Sequence, residues 1–250
     1  RMTYRLSMLY LTKLLNLKTL KWIDMKAKLI SFSKPTREMY DEGLRDAQDL
    51  IAYCARVSNP SNQFNLETAD KLIRYLAKYK HWSPFEMVSA CIEVETTRDI
   101  ARQLLRHRSF SFQEFSQRYA DPTKDLEFVL REARFQDEKN RQNSIEIDMS
   151  IDEHRIIAAG WENLQKDLTN KAREVYEWAI SKGIAKEQAR AVLPEGLTMS
   201  RLYVNGTIRS WIHYIELRSG NGTQKEHIEL ARACAQAIVE AFPMIKEYVQ

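Results

Sequence analysis

Apolar residues recur along this chain with two periods, one close to 3.6 and one of 2, and the predicted elements follow from where the period changes. Met25 opens Lys26-Ala27-Lys28-Leu29-Ile30, which reads as a first strand over 26–32. Residues 36–57 predict a helix with Met39, Leu44, Leu50, Ile51 and Cys54 on its apolar stripe. A loop at Asn59-Pro60-Ser61-Asn62 separates it from a second amphipathic helix over 66–79, with Leu72, Ile73 and Leu76 inward. Ser83-Pro84-Phe85-Glu86 has the form of a capping box, a hydroxyl cap with a glutamate three residues on. Val88, Ala90, Ile92 and Val94 then alternate with polar positions, a strand with one buried face. Residues 97–108 read as helix. Residues 121–150 are charged and poor in pattern, an excursion or lid. A long helix over 151–182 ends at Gly183. A short extended piece at 202–204 precedes helices over 208–217 and 223–242, the last opening on a second capping box of Thr223 and Glu226. Long helices with a few separated strands predict an α+β fold with a mainly antiparallel sheet.

Composition narrows the class without naming a function. The chain has 250 residues, 44% of them hydrophobic and 29% charged, which suits one large domain. The net charge of +4 is too small for a polycation, so any anion site must come from local clustering. Cys54, Cys91 and Cys234 are odd in number and far apart, which argues against a disulfide framework or a thiolate zinc site and fits a reducing cytoplasm. Cys91 and Cys234 fall in apolar patterns and are expected in the core. No stretch approaches the ~18 apolar residues of a membrane span. Residues 1–24 differ from the rest: Arg1, Arg5, Lys13, Lys18 and Lys21 stand against the single acid Asp24. They read as a basic extension outside the core, leaving 25–250 as a single domain. A targeting helix is the competing reading, but there is no continuous apolar region and no small-residue cleavage site.

Candidate chemistry concentrates between residues 101 and 118. Arg102, Arg106, Arg108 and Arg118 face one acid, Glu114. Cations near a helix C-terminus answer its dipole, which accounts for the first three. It does not account for Arg118, or for the donors Ser109, Ser111, Gln113, Ser116 and Gln117. Hydroxyls and amides beside fixed positive charge suit a phosphate and a base edge held together. Gln103 and Arg106, three apart, are expected to face one ligand.

Arg106-His107-Arg108, seven residues, then Ser116 and Arg118 resembles the signature of the flavin-dependent thymidylate synthases. Other segments follow in the order of that family: Ala55-Arg56-Val57-Ser58, His81-x-Ser83-Pro84-Phe85-Glu86, Ala101-Arg102-Gln103-x-x-Arg106, Ala189-Arg190-x-x-Leu193-Pro194, and Arg209-Ser210-Trp211 through Arg218. The resemblance spans residues 26 to 245. It implies reductive methylation of deoxyuridylate (dUMP) to thymidylate (dTMP), with methylenetetrahydrofolate as carbon donor, NADPH as reductant and a bound FAD. It also implies a cytoplasmic homotetramer with active sites between subunits, without metal, nucleic acid or membrane.

By the same resemblance Arg106, His107 and Arg108 sit against FAD from a neighbouring subunit, with Ser58, His81, Ser83, Glu86, Glu114, Thr207, Ile208, Arg209 and His213 as further flavin-side residues. Gln103, Leu104, Leu105, Arg106, Glu114, Phe115, Ser116, Gln117, Arg118 and Arg190 are implied to line the dUMP site, Ser116 as a donor that positions the nucleotide. Arg218 matches the catalytic arginine, which stabilises negative charge on the uracil ring. Arg209 and Arg218 are nine positions apart, about half a turn out of phase on one helix, so they cannot share a face. The chain departs from the family at Thr207 and His213, where many relatives carry Asn, and at Gly220-Asn221-Gly222-Thr223-Gln224, which replaces a His-containing stretch. Two competing readings remain open. One is a nucleic-acid module stacking bases on Phe110, Phe112, Phe115 and Tyr119, against which the local extent of the basic patch speaks. The other is a flavoenzyme that methylates a different uracil compound.

Overall fold

A computed structural model describes residues 20–249. In chain order the elements are β1 (Lys21–Trp22), β2 (Lys26–Phe32), α1 (Arg37–Asp41), α2 (Ala47–Ala55), α3 (Ala69–Lys78), β3 (Ser89–Thr97), α4 (Arg98–Leu104), β4 (Ser111–Glu114), α5 (Pro122–Asp125), β5 (Val129–Leu130), β6 (Arg134–Gln136), β7 (Ser144–Glu146), α6 (Asp152–Ser181), α7 (Lys186–Ala189), β8 (Met199–Thr207), α8 (Ile208–Ser219) and α9 (Lys225–Ile238). The fold is α+β, as predicted. Its centre is an antiparallel sheet of order β2-β3-β8-β4. Ala90, Ile92 and Val94 of β3 and Leu202 and Val204 of β8 turn one face inward. Ile208, Trp211, Ile212 and Ile215 of α8 and Leu230, Ala231, Cys234 and Ile238 of α9 join the same core. Each large apolar side chain sealed there is worth roughly 1.5–3 kcal/mol relative to exposure. Trp211 is anchored as well as buried, its Nε1–H donating to the Ala90 carbonyl at 3.0 Å.

Several elements differ from the sequence expectation for local reasons. The helix expected over 36–57 is two helices, because Gly43 takes a left-handed φ of +118° and Asp46 caps a fresh start by accepting from the Asp49 N–H at 2.9 Å. The helix expected over 97–108 stops at Leu104, which puts Arg106, His107 and Arg108 in the turn beyond it. Neither capping box forms. Ser83 lies in a 3-10 turn (Ser83–Met87) with no side-chain cap, and Glu86 reaches away to Arg209. The last helix starts at Lys225, and Glu226 is buried against Arg134. The extended piece expected at 202–204 is the nine-residue strand β8; Ser200 and Gly206 fill inward positions, which hid the alternation. Cys234 is buried as expected. Cys91 is only half-buried, since it alternates with Ala90 and Ile92 and so faces away from the core. In the segment 121–150, Leu126, Phe128, Val129 and Leu130 are packed, and only the β6–β7 hairpin stands out as an excursion. Lys21–Trp22 pair in parallel with β5, four residues before the Met25 boundary; residues 1–19, the rest of the basic leader, lie outside the described residues.

One contact ties the sheet to the turn that follows α4. Gly206 lies under the Phe110 ring so closely that a Cβ there would sit 2.3 Å from Phe110 Cδ1. The ring has little room to retreat, with Trp211 at 4.5 Å between centroids. Gly206→Ala is therefore expected to cost about 1–3 kcal/mol through overpacking. Thermal unfolding of the variant checks this: a lowered Tm, recovered in part by Phe110→Leu in the same chain, is the expected result, and a parental Tm contradicts the close approach.

Candidate functional site

The predicted site residues fall into three clusters, two of which sit at opposite ends of α8. At its C-terminal end, Arg218 Nε donates to His107 Nε2 at 3.0 Å. The His107 ring meets Tyr214 edge to face at 5.1 Å. An imidazole that accepts through Nε2 must be neutral, with its one proton on Nδ1. Burial, then the charges of Arg218 and Arg106, hold His107 down to about 4, so it is neutral near pH 7. With Nε engaged, the guanidinium of Arg218 keeps its terminal Nη1/Nη2 fork for a planar acceptor. Gln103 lies beside this pair; its amide donates to Gln224 Oε1 at 2.9 Å, and its carbonyl meets His227 Nδ1 at 3.1 Å. Arg106 does not share a helical face with Gln103, because it lies beyond the end of α4; it and Arg108 stand exposed and make no ion pair among the described residues. The Leu104 side chain belongs to the core and Leu105 packs partly against it, so Leu104 can offer a ligand only its backbone.

At the other end of α8, Thr207 caps the helix by accepting from the Ser210 N–H at 3.3 Å. Ile208 is sealed in the core, its N–H donating to Val88 O at 2.8 Å. Arg209 forms an ion pair with Glu86, which the 3-10 turn holds along with exposed Ser83. The His213 ring stands edge-on to Trp82 at 4.8 Å, and burial followed by Arg209 lowers its pKa. His81 is exposed beside Tyr75, with 6.2 Å between ring centroids. Ser58 is exposed in the loop after α2.

The third cluster surrounds β4. Glu114 accepts from Arg102 Nη2 and Ser200 Oγ, each at 3.0 Å, with Arg98 at 3.5 Å. Burial, then Arg102, depresses the pKa of Arg98, and the charge of Arg190 adds to the same effect. Phe115 is half-buried. Ser116 Oγ accepts from the Arg118 N–H at 3.4 Å, and Arg118 pairs with Glu187 at 3.6 Å. Gln117 is buried, and its Nε2 has no partner among the described residues. No group of His, Cys, Asp and Glu side chains among the described residues could hold a metal, and no described helix is long and apolar enough to cross a membrane.

The sequence reading missed Gln224, Tyr214 and His227. His227 carried a signal, since it opens the stripe 227, 230, 231, 234, 235 and 238 that buries α9, where an imidazole is out of place unless it has a partner.

The chain is an antiparallel α+β domain with guanidinium groups grouped around one helix and its neighbouring strand. Residues 41–244 match the family model Thy1, thymidylate synthase complementing protein, and the chain belongs to that family. It is 50% identical over 221 residues to a probable flavin-dependent thymidylate synthase of Paramecium bursaria Chlorella virus 1, covering 88% of this chain and 97% of that protein. It is 47% identical over 224 residues to the flavin-dependent thymidylate synthase of a Synechocystis species, with the same coverage. Among solved structures, the UMP/dUMP methylase PolB from Streptomyces cacaoi, bound with 5-Br dUMP, superposes with a TM-score of 0.73 at 26% identity, over 92% of this chain and 95% of that one.

The His107–Arg218 contact sets a pH limit. A histidine held at about 4 when folded, against an ordinary 6.5, takes up protons more readily in the unfolded chain. Stability from this group is therefore complete above about pH 6.5 and falls as the pH drops through the interval to about 4. His107→Gln, which can still accept from Arg218, is expected to flatten that limb of a Tm-against-pH curve. A limb of unchanged steepness would contradict the assignment.

Proposed function

We propose that this chain catalyses the reductive methylation of dUMP to dTMP, with FAD bound by the protein and with NADPH and 5,10-methylenetetrahydrofolate as co-substrates. The observation that carries the reading is Arg218, a guanidinium aimed by a neutral histidine of the Arg106-His107-Arg108 turn. When bound, the flavin supplies the hydride and the folate the one-carbon unit. The donor set fits a dinucleotide: Arg106 and Arg108 are exposed cations without a carboxylate partner among the described residues, and a diphosphate is the anion their planar forks suit. Thr207 and His213, where relatives have Asn, still offer a hydroxyl at the N-cap of α8 and a ring nitrogen on its second turn.

Arg218 is given the catalytic role. Its free fork can bridge the uracil N3 and the neighbouring carbonyl, stabilising the ring when it carries negative charge and raising electron density at C5, where the carbon must attach. Gln103, Ser116, Gln117, Arg118 and Arg190 supply donors to the nucleotide. The half-buried pair of Arg98 and Arg102 on Glu114 keeps the strand edge beneath them positively charged.

One chain leaves the flavin-side and nucleotide-side groups apart. Arg209 and Arg218 point in opposite directions and are separated along the helix by roughly 13 Å, nine residues at 1.5 Å each. A second copy that brings its own cluster alongside completes the site. α6 offers a surface for such assembly: Ile157, Trp161, Leu164, Leu168 and Trp178 recur along it at spacings of three, four and ten, all exposed, Leu164 by 65%. A cytoplasmic homotetramer is the assembly proposed.

A second reading has a specific basis, since the PolB protein is described as acting on UMP as well as dUMP. Turnover of both nucleotides by the purified enzyme separates the two. The principal test compares Arg218→Ala with Arg209→Ala, reading FAD content, NADPH oxidation under air and dTMP formation. Arg218→Ala is expected to keep FAD and NADPH oxidation while dTMP formation falls by ~10²–10³, the usual effect of losing one preorganised donor. Arg218→Lys should restore little, because an ammonium lacks the planar two-point contact. Arg209→Ala should loosen FAD first. Parental dTMP formation by Arg218→Ala overturns the catalytic role, and loss of FAD with activity makes Arg218 a flavin residue. Light scattering with flavin absorbance should give a yellow tetramer; a colourless monomer that ignores added FAD contradicts the assembly.

A further inference from the structure

His227 is fully buried, on the first turn of α9, and makes one side-chain hydrogen bond: Nδ1 to the Gln103 carbonyl at 3.1 Å. Its Nε2 is buried without a partner, and so is the Tyr214 hydroxyl, whose ring centroid is 5.7 Å away. His107 lies on another side, at 6.5 Å between centroids. Burial, then Arg218 and His107, hold His227 down to about 3, so the ring is neutral and carries a single proton.

Which nitrogen holds that proton decides which way the Gln103 amide faces. If it were on Nε2, a buried N–H would be left without an acceptor in the positive field of Arg218, and Nδ1 would need a donor from Gln103. With the proton on Nδ1, the ring donates to Gln103 Oε1, and the unpaired Nε2 keeps a lone pair in that same positive field. An orphaned buried N–H costs more than an orphaned acceptor beside a cation. The Nδ1–H tautomer is therefore the one the site holds. It also fixes Gln103 with Oε1 inward and Nε2 outward, the orientation in which Nε2 donates to Gln224.

We propose that His227 is a positioning residue for nucleotide binding: by donating Nδ1–H to Gln103 it locks the amide so that Gln103 presents N–H groups, and no carbonyl, to an acceptor oxygen of the bound nucleotide. The inference rests on the reading that places Gln103 in the dUMP site. Gln224 accepts from the outward N–H, and nucleotide binding exchanges that partner for a phosphate or pyrimidine oxygen. The sequence context is consistent, since Gln224 closes the segment that departs from the family pattern and His227 follows it by three residues.

The experiment compares His227→Leu with His227→Asn, whose Nδ2–H reproduces the lost donor at nearly the same place. In His227→Leu the amide is free to flip, and KM for dUMP is expected to rise roughly ten-fold, the scale of one hydrogen bond to a charged or strongly polar group, with kcat and FAD content changed little. His227→Asn should return KM most of the way to the parental value. Inhibition constants for deoxyuridine, measured against dTMP formation, assign the acceptor: a penalty shared by deoxyuridine means a pyrimidine oxygen, one confined to dUMP means the phosphate. Equal KM values for the Leu and Asn variants overturn the proposal. Should His227→Leu fail to fold, the parent protein decides, because ¹⁵N chemical shifts assigned to His227 report its tautomer directly; His227 neutral and protonated on Nε2 overturns the proposal. A parent enzyme that forms no dTMP would instead refute the underlying reading, whatever the tautomer.

Discussion

β3 and β8 pair residue for residue in antiparallel register, Ser89 against Thr207 and Thr97 against Met199, without a bulge. Every candidate cluster depends on that pairing. Because the strands run in opposite directions, the helices that follow them, α4 after Thr97 and α8 after Thr207, leave the sheet at opposite ends. They then approach each other, and the turn after α4 reaches the far end of α8, where His107 meets Arg218. A slip of one residue would reverse the inward and outward faces of both strands and break both helix origins together. Phe110 over Gly206 is the check on that register from the other side of β8.

On this frame the two imidazoles nearest Arg218 are held neutral. Arg218 is near two imidazoles, both pushed far below their ordinary range by burial and by the guanidinium itself. Neutral rings can accept or donate a single hydrogen bond in a fixed sense, so they orient the arginine and the glutamine without competing for the anion. The carboxylates Glu114 and Glu86 are each bound to arginines of their own cluster, while Arg106 and Arg108 stay without a carboxylate among the described residues. Preorganisation of this kind costs stability at low pH and supplies directional donors at neutral pH.

Much of this was legible in the sequence, and the parts that were not share a cause. The first strand, the long helix ending at Gly183 and the α+β class follow from hydrophobic period and one glycine. β8 was legible only over Leu202 to Val204, because its other inward positions are a serine and a glycine, which carry no apolar signal. Ser83 with Glu86 and Thr223 with Glu226 look like caps, yet Glu86 and Glu226 pair with Arg209 and Arg134, far off in the chain. Local patterns cannot anticipate a long-range ion pair that outcompetes a cap. The motif Arg106-His107-Arg108 falls in the turn that meets Arg218, but helical spacing did not place Gln103 and Arg106 on one face, since the helix ends between them. His227 was hidden in a stripe whose other members are ordinary core residues.

On the proposed function, one chain holds two incomplete surfaces at the two ends of α8, and a working site takes Arg209 from one subunit and Arg218 from another. Subunit mixing tests it most directly. Arg209→Ala and Arg218→Ala chains, each weak alone at limiting FAD, are co-expressed or reassembled together and dTMP formation is measured. Random assortment leaves roughly a quarter of such shared sites with both arginines intact, so activity should recover toward that fraction of the parent. If both arginines of a site come from the same chain, every site lacks one of them, and the mixture stays as inactive as its components.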